Sequence, residues 1–303
     1  MEVVLLQMAA LMAFGSGWRW VRPLGLEAEP TRRVLTGLVY VLLLPALVLE
    51  VLWRAPLGRD AALTALVAAV GVLTALVGAR RLYRALGTAP TAAGALILAA
   101  AFPNVTYLGL PVLERTLGPW ARGIAIQYDL FACTPLLLTV GVLLARTYGE
   151  SDGEPPWKAL LKVPPLWAAL LAVGLNVAEV PMPDGLHGLL TLLANGVVPL
   201  MLLSLGMSLT WGAISAGRVP LVLPVLLIQL VLVPLLVWGV GSTLGLSGDR
   251  LVGVVLEGAM PCMVLGVVIC DRFRLDTGLY AAAVALSTLC SLVTLPLWYR
   301  ILT

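Results

Sequence analysis

Charge is what this chain has least of. Charged residues make up 12% of its 303 positions, about half the share of a soluble domain. Nineteen Lys and Arg against sixteen Asp and Glu leave a net charge of +3, with no basic patch to hold nucleic acid. His187 is the single histidine, and with no carboxylate or thiol at ligand spacing beside it, it reads as a loop residue facing solvent. The four cysteines, Cys133, Cys262, Cys270 and Cys290, lie in apolar segments without C-x-x-C spacing. They read as buried free thiols, which excludes a disulfide framework and a thiolate metal site. There is no P-loop, dinucleotide fingerprint or zinc signature. No His–Asp, Cys–His or metal-ligand cluster suggests an enzyme, and no cofactor is expected. Glu2 stands where a signal peptide would be basic, and no small-residue cleavage site follows, so the N-terminus reads as a retained first span.

Apolar residues are what the chain has instead. They form 60% of it, with a mean hydropathy of +1.01. A helix crossing a bilayer needs ~20 predominantly apolar residues. On that length ten spans are expected, at about 3–20, 34–53, 61–79, 91–112, 121–145, 160–179, 187–209, 218–242, 250–270 and 278–300. The expected fold is an all-α integral membrane protein. The connectors are short and carry most charges; the longest, 147–158, falls mid-chain and reads as a link between residues 1–150 and 151–303.

Basic residues are retained on the cytoplasmic side of a membrane. Connectors after odd-numbered spans hold thirteen Lys and Arg, and those on the other side hold six. The split places the odd connectors in the cytoplasm and both termini outside. Trp18, Trp20, Trp53, Trp120, Trp157 and Trp211 flank spans, as an aromatic belt does. Five spans per half would insert the second half upside down relative to the first. Weak internal similarity agrees. Leu44-Pro45-Ala46-Leu47 matches Val198-Pro199-Leu200-Met201, and Pro103 with Leu108-Gly109 matches Pro261 with Leu265-Gly266, at offsets of 154 to 158 residues.

One stretch stands apart. Residues 101–111 lie inside an apolar run yet hold Pro103, Asn104, Gly109 and Pro111. Each proline removes a backbone N–H and clashes with the carbonyl one turn back. Broken backbone at membrane depth is tolerated only when buried in protein or lining a cavity, and paired breaks point to a transporter's midplane binding site. The half-helices restarting after Pro103 and Pro261 would each present about half a positive charge, enough to hold a carboxylate without Arg or Lys. Asn104 adds an amide there, or patches backbone freed by Pro103. Asp129, in Gln127-Tyr128-Asp129, is the clearest intramembrane carboxylate and a functional-site hypothesis by default; an outer vestibule is the other place for it. Glu257, one turn before Pro261, is a candidate proton carrier, or else a water-exposed carboxylate near the break. Ser204, Ser208, Thr134 and Ser287 read as helix-packing polar groups or cation ligands.

Pro103-Asn104-Val105-Thr106-Tyr107-Leu108-Gly109-Leu110-Pro111 resembles the N-x-x-x-x-G-x-P element of the auxin efflux carrier family. The second span around Pro45, the run Pro199 to Leu209 and the terminal Ser287 to Pro296 are similar to that family in the same order. The resemblance implies ten spans in two inverted five-span repeats, 1–150 and 151–303, with broken spans four and nine crossing as in bile-acid symporters. It implies secondary active transport of small organic anions, malate-, malonate- or auxin-like, in a bacterial cytoplasmic membrane with periplasmic termini. The family's crossover asparagine maps onto Asn104, whereas the asparagine that follows the ninth-span proline in plant members is Cys262 here. The expected substrate site is therefore Pro103, Asn104, Val105, Thr106, Pro261 and Cys262, and the coupling set is Asp129, Glu257 and Gln127, with H⁺ or Na⁺ as the coupling ion. The partners are the anion and the lipid bilayer, with a homodimer left open. The rivals are a sodium-coupled bile-acid-type symporter and a non-transporting membrane sensor, which the lack of a soluble signalling domain disfavours.

Overall fold

The computed structural model describes residues 2–55, 57–150, 158, 161–209 and 218–303. Residues 151–156 of the expected link, Trp157 and Trp211 lie outside the described residues. All regular elements among the described residues are helices, with no strand beyond one isolated pairing of Pro103 with Cys262. We number the principal helices α1 Glu2–Val21, α2 Ala28–Arg54, α3 Arg59–Ala85, α4 Pro90–Ala101, α5 105–117, α6 Pro119–Tyr148, α7 Pro164–Val177, α8 Asp184–Ser208, α9 Val219–Thr243, α10 Gly248–Gly258, α11 Gly266–Arg272 and α12 Thr277–Leu302. Six of these, α2, α3, α6, α8, α9 and α12, are long and apolar enough to cross a membrane. The chain is a multi-pass membrane protein. α4 and α7 are shorter apolar helices.

Packing sorts the helices into two groups. α1 lies along the second half of α8, and α2 packs on α7 and α8. The first contact is close because Gly15 and Gly206 stand at it: a Cβ on Gly206 would collide with the Met12 carbonyl, and one on Gly15 with that of Leu203. Small residues that let backbones approach are the usual currency of helix association in lipid. In the second group α3 packs on α4 and α9, α9 on α10, and α12 on α4 and α9. One ionic cluster ties α2 and α8 of the first group to α5 and α6. Arg122 on α6 pairs with Glu114 on α5 and, at 3.5 Å, with Glu50 on α2. Glu50 also accepts a 3.4 Å hydrogen bond from Thr191 on α8. His187 is a helical neighbour of Thr191 (3.3 Å) rather than a loop residue. Of the four cysteines, Cys290 is only half-buried and the other three are buried.

Candidate functional site

Both proline-bearing stretches break their helices. α4 stops at Ala101 and α5 starts at Val105; α10 stops at Gly258 and α11 starts at Gly266. The two gaps meet. Asn104 N–H donates to the Pro261 carbonyl (2.7 Å), and Met263 N–H donates to the Phe102 carbonyl (2.9 Å). Pro103 and Cys262 sit opposite each other in this short antiparallel pairing. The arrangement explains why proline is tolerated at 103 and 261. The ladder draws its donors from residues 104 and 263, so neither missing N–H is needed. The N–H of Cys262 goes to Ser287 Oγ on α12 (3.1 Å).

Carbonyls freed at the second break are met by side chains from neighbouring helices. Gln229 Nε2 on α9 donates to the carbonyls of Gly258 (3.3 Å) and Met260 (3.0 Å). Tyr280 on α12 donates to that of Met263 (2.7 Å). Buried backbone polar groups must find partners, and here side chains supply them. Gln229→Leu orphans both carbonyls, so a loss of about 2 kcal/mol of stability is expected, read as a lower midpoint of unfolding in detergent.

Asn104 is 2% exposed, and its side-chain nitrogen has no partner. Its own carbonyl accepts from Leu108 (3.2 Å) and Gly109 (3.0 Å), so α5 opens on a π turn, Val105–Gly109. Such turns recur at functional sites. Within it Thr106 donates its hydroxyl to Asp129 Oδ2, while Thr134 donates to Oδ1 at 2.8 Å. Asp129 is buried at 6% exposure, with both carboxylate oxygens bonded inside the protein. Val105, Pro103, Pro261 and Cys262 are all buried around the pairing.

Glu257 is the counterpart without hydrogen-bond partners. It is fully buried, and neither carboxylate oxygen has a hydrogen-bond partner. It points at Gly109, where any Cβ would strike its carboxylate. It lies within electrostatic reach of Asp129 and of the unpartnered Tyr128 hydroxyl. Thus Asn104, Thr106, Asp129 and Glu257 gather at the meeting of the two breaks. Gln127 does not join them. Two positions from Asp129 on the same helix, it faces the opposite side, near Gly123. The second restart also differs from expectation: α11 begins five residues beyond Pro261 and spans seven residues, so Pro261 does not cap a long half-helix. Sequence reasoning missed Gln229 and Tyr280, because a glutamine in an apolar run reads as incidental until its partner backbone is known.

Residues 1–299 match the Mem_trans family, described as membrane transport protein. An uncharacterized transporter of Methanothermobacter thermautotrophicus is 30% identical over 286 residues, covering 93% of either chain. The uncharacterized transporter MJ1031 of Methanocaldococcus jannaschii is 25% identical, over 69% of this chain and 68% of its own length. The uncharacterized transporter YfdV of Escherichia coli K12 is 27% identical, over 66% of this chain and 65% of its own. With two broken helices meeting at Asn104 and Pro261, and a family match along nearly its whole length, the chain belongs to the auxin efflux carrier family of membrane transporters.

Proposed function

We propose that the chain is a secondary active transporter of small organic anions, malate- or malonate-like, working by alternating access around the meeting of its broken helices. The observation that carries this reading is the buried, unpartnered amide nitrogen of Asn104 beside the restart of α5. An amide donor with no acceptor, in a place without basic side chains, is matched by a carboxylate oxygen. The restart adds the positive end of a helix dipole.

In this reading α4 with α5 is the fourth of ten spans and α10 with α11 the ninth, each repeat taking one half of the chain, 1–150 and 151–303. The antiparallel pairing of the two breaks suits repeats of opposite orientation. The thirteen-to-six split of basic residues supports an inner-membrane protein with both termini periplasmic. Asp129 and Glu257 are the coupling candidates, with a proton as the first choice of ion.

The direct test is thermal stabilisation of the purified protein by carboxylates, with and without sodium, at acid and neutral pH. Malonate or malate at one fixed concentration, about 100 times its dissociation constant at acid pH, should stabilise by roughly 2.7 kcal/mol there, by less at neutral pH, and independently of sodium. Sodium-dependent stabilisation would move the coupling to the bile-acid-symporter type. Absence of stabilisation by any carboxylate would remove the organic-anion reading.

A further inference from the structure

A second polar cluster lies away from the meeting of the breaks, at the end of the molecule where α2, α5 and α7 stop and α6 and α8 begin. Arg122 on α6 bonds Glu114 of α5 closely and reaches Glu50 of α2 at 3.5 Å. Their side chains are exposed by only 12%, 18% and 15%, so solvent and salt screen the pairs less than at an open surface. Two carboxylates share one guanidinium, and the cluster is incompletely satisfied: Glu114 Oε2 and Arg122 Nε are buried without partners.

The members of the cluster belong to different groups of helices. α6 packs on α3, α4 and α10, and α5 packs on α6 and α10, so Arg122 and Glu114 go with the second group. Glu50 goes with the first. There the end of α2 is clipped to α7 by Asn176, whose Nδ2 donates among the carbonyls of Leu52 (3.1 Å), Trp53 (2.8 Å) and Ala55 (2.9 Å). Trp53 Nε1 adds a bond to the carbonyl of Val180, just past α7 (2.8 Å). In the second group Arg250 of α10 pairs with Asp60 of α3 at 3.3 Å. Each group is thus tied to itself at this end, and Arg122 with Glu50 is a long contact between the two. When the groups part, Arg122 keeps Glu114 and Glu50 keeps Thr191, so both charges retain a partner. At the opposite end the ion pairs of Glu29 with Arg32 and Arg33 stay within α2.

We propose that Arg122, Glu114 and Glu50 form a latch between the two groups of helices, closed in this structure, which parts between Arg122 and Glu50 when the meeting of the breaks opens toward this end. The proposal rests on the alternating-access reading above, in which this end is the periplasmic one. A latch needs a contact that holds one state and still releases. Breaking a buried ion pair outright strands a charge and is strongly unfavourable. A pair whose members each hold a second partner on their own side separates without that penalty. The single arginine shared by two acids supplies this arrangement, with one acid on each side of the boundary.

The test uses the full-length protein in proteoliposomes and in nanodiscs. A Cβ on Gly123 would lie 3.8 Å from Val51 Cγ1, beside Arg122 and Glu50 in sequence. Val51→Cys with Gly123→Cys therefore lets oxidation close this end with a disulfide while sparing the three charges. Malonate exchange should be lost on oxidation and return with reductant, with the oxidised wild type unaffected. Exchange that continues in the oxidised double variant would overturn the latch, as would failure of the disulfide to form. Amide hydrogen exchange in nanodiscs decides the question without any substrate. Glu50→Gln should speed exchange several-fold at 44–52 and 110–123, because the contact across the boundary loses its charge. Glu114→Gln should slow it, because separation then leaves Arg122 without a partner. A general loss of stability speeds exchange in both variants, so any result other than opposite shifts would overturn the latch. Should the wild type move no malonate while the two variants shift oppositely, the organic-anion reading falls and the latch stands.

Discussion

In Asn104→Ala, malonate binding is expected to weaken roughly 30-fold, the equivalent of about 2 kcal/mol for a hydrogen bond to a charged group, with no loss of stability in the unliganded protein. The two halves of that expectation come from one observation. The Asn104 side-chain nitrogen is buried and unpartnered. Deleting a buried donor that bonds nothing removes a desolvation cost rather than a bond. The backbone role of residue 104 survives, because its N–H still reaches the Pro261 carbonyl and its own carbonyl still accepts from Leu108 and Gly109. Alanine can do both. Thermal unfolding and malonate titration on the same preparation read the two effects separately. A variant that unfolds earlier, or binds as the wild type does, would assign Asn104 to structure and take the carboxylate elsewhere.

The second large effect is expected at Glu257. Its oxygens face no donor, whereas those of Asp129 are bonded by Thr106 and Thr134. A buried carboxylate without partners must acquire a proton or a cation to be accommodated. Asp129 already has its partners and tethers the π turn that Asn104 opens. The two acids are therefore expected to part ways on substitution. Glu257→Gln should bind substrate with a pH profile flattened between acid and neutral pH. It should lose concentrative uptake while keeping exchange between equal pools. The sign follows from proton uptake accompanying the anion: wild-type affinity falls as pH rises, and the amide, fixed in its uncharged form, does not respond. Asp129→Asn should retain the pH dependence but lower stability by about 1–3 kcal/mol, since both hydroxyls lose a charged acceptor. Uptake into proteoliposomes with an imposed pH gradient, together with binding across pH, separates them. Normal accumulation by Glu257→Gln would exclude it as the proton carrier.

The class of the protein and the places where its backbone breaks are legible along the chain. An apolar share of 60%, cut by short charged connectors, leaves no alternative to a bundle of membrane helices. Pro103 and Pro261 forbid continuous helix by their covalent geometry, which is local and needs no fold to be read. The polar residues that matter were also visible as exceptions, since Asn104, Asp129 and Glu257 are costly in an apolar run. Their partners were not visible. Asp129 meets Thr106 from 23 residues away, and Gln229 reaches Met260 from 31. A side chain's hydrogen bond depends on which helix packs beside it and at what rotation, and spacing along the chain does not encode that for distant helices. The same reason separates Gln127 from Asp129, two positions apart on one helix and on different sides of it. That one of two buried acids is bonded through both oxygens and the other bare comes from helix packing, which brings hydroxyls to Asp129 and withholds them from Glu257.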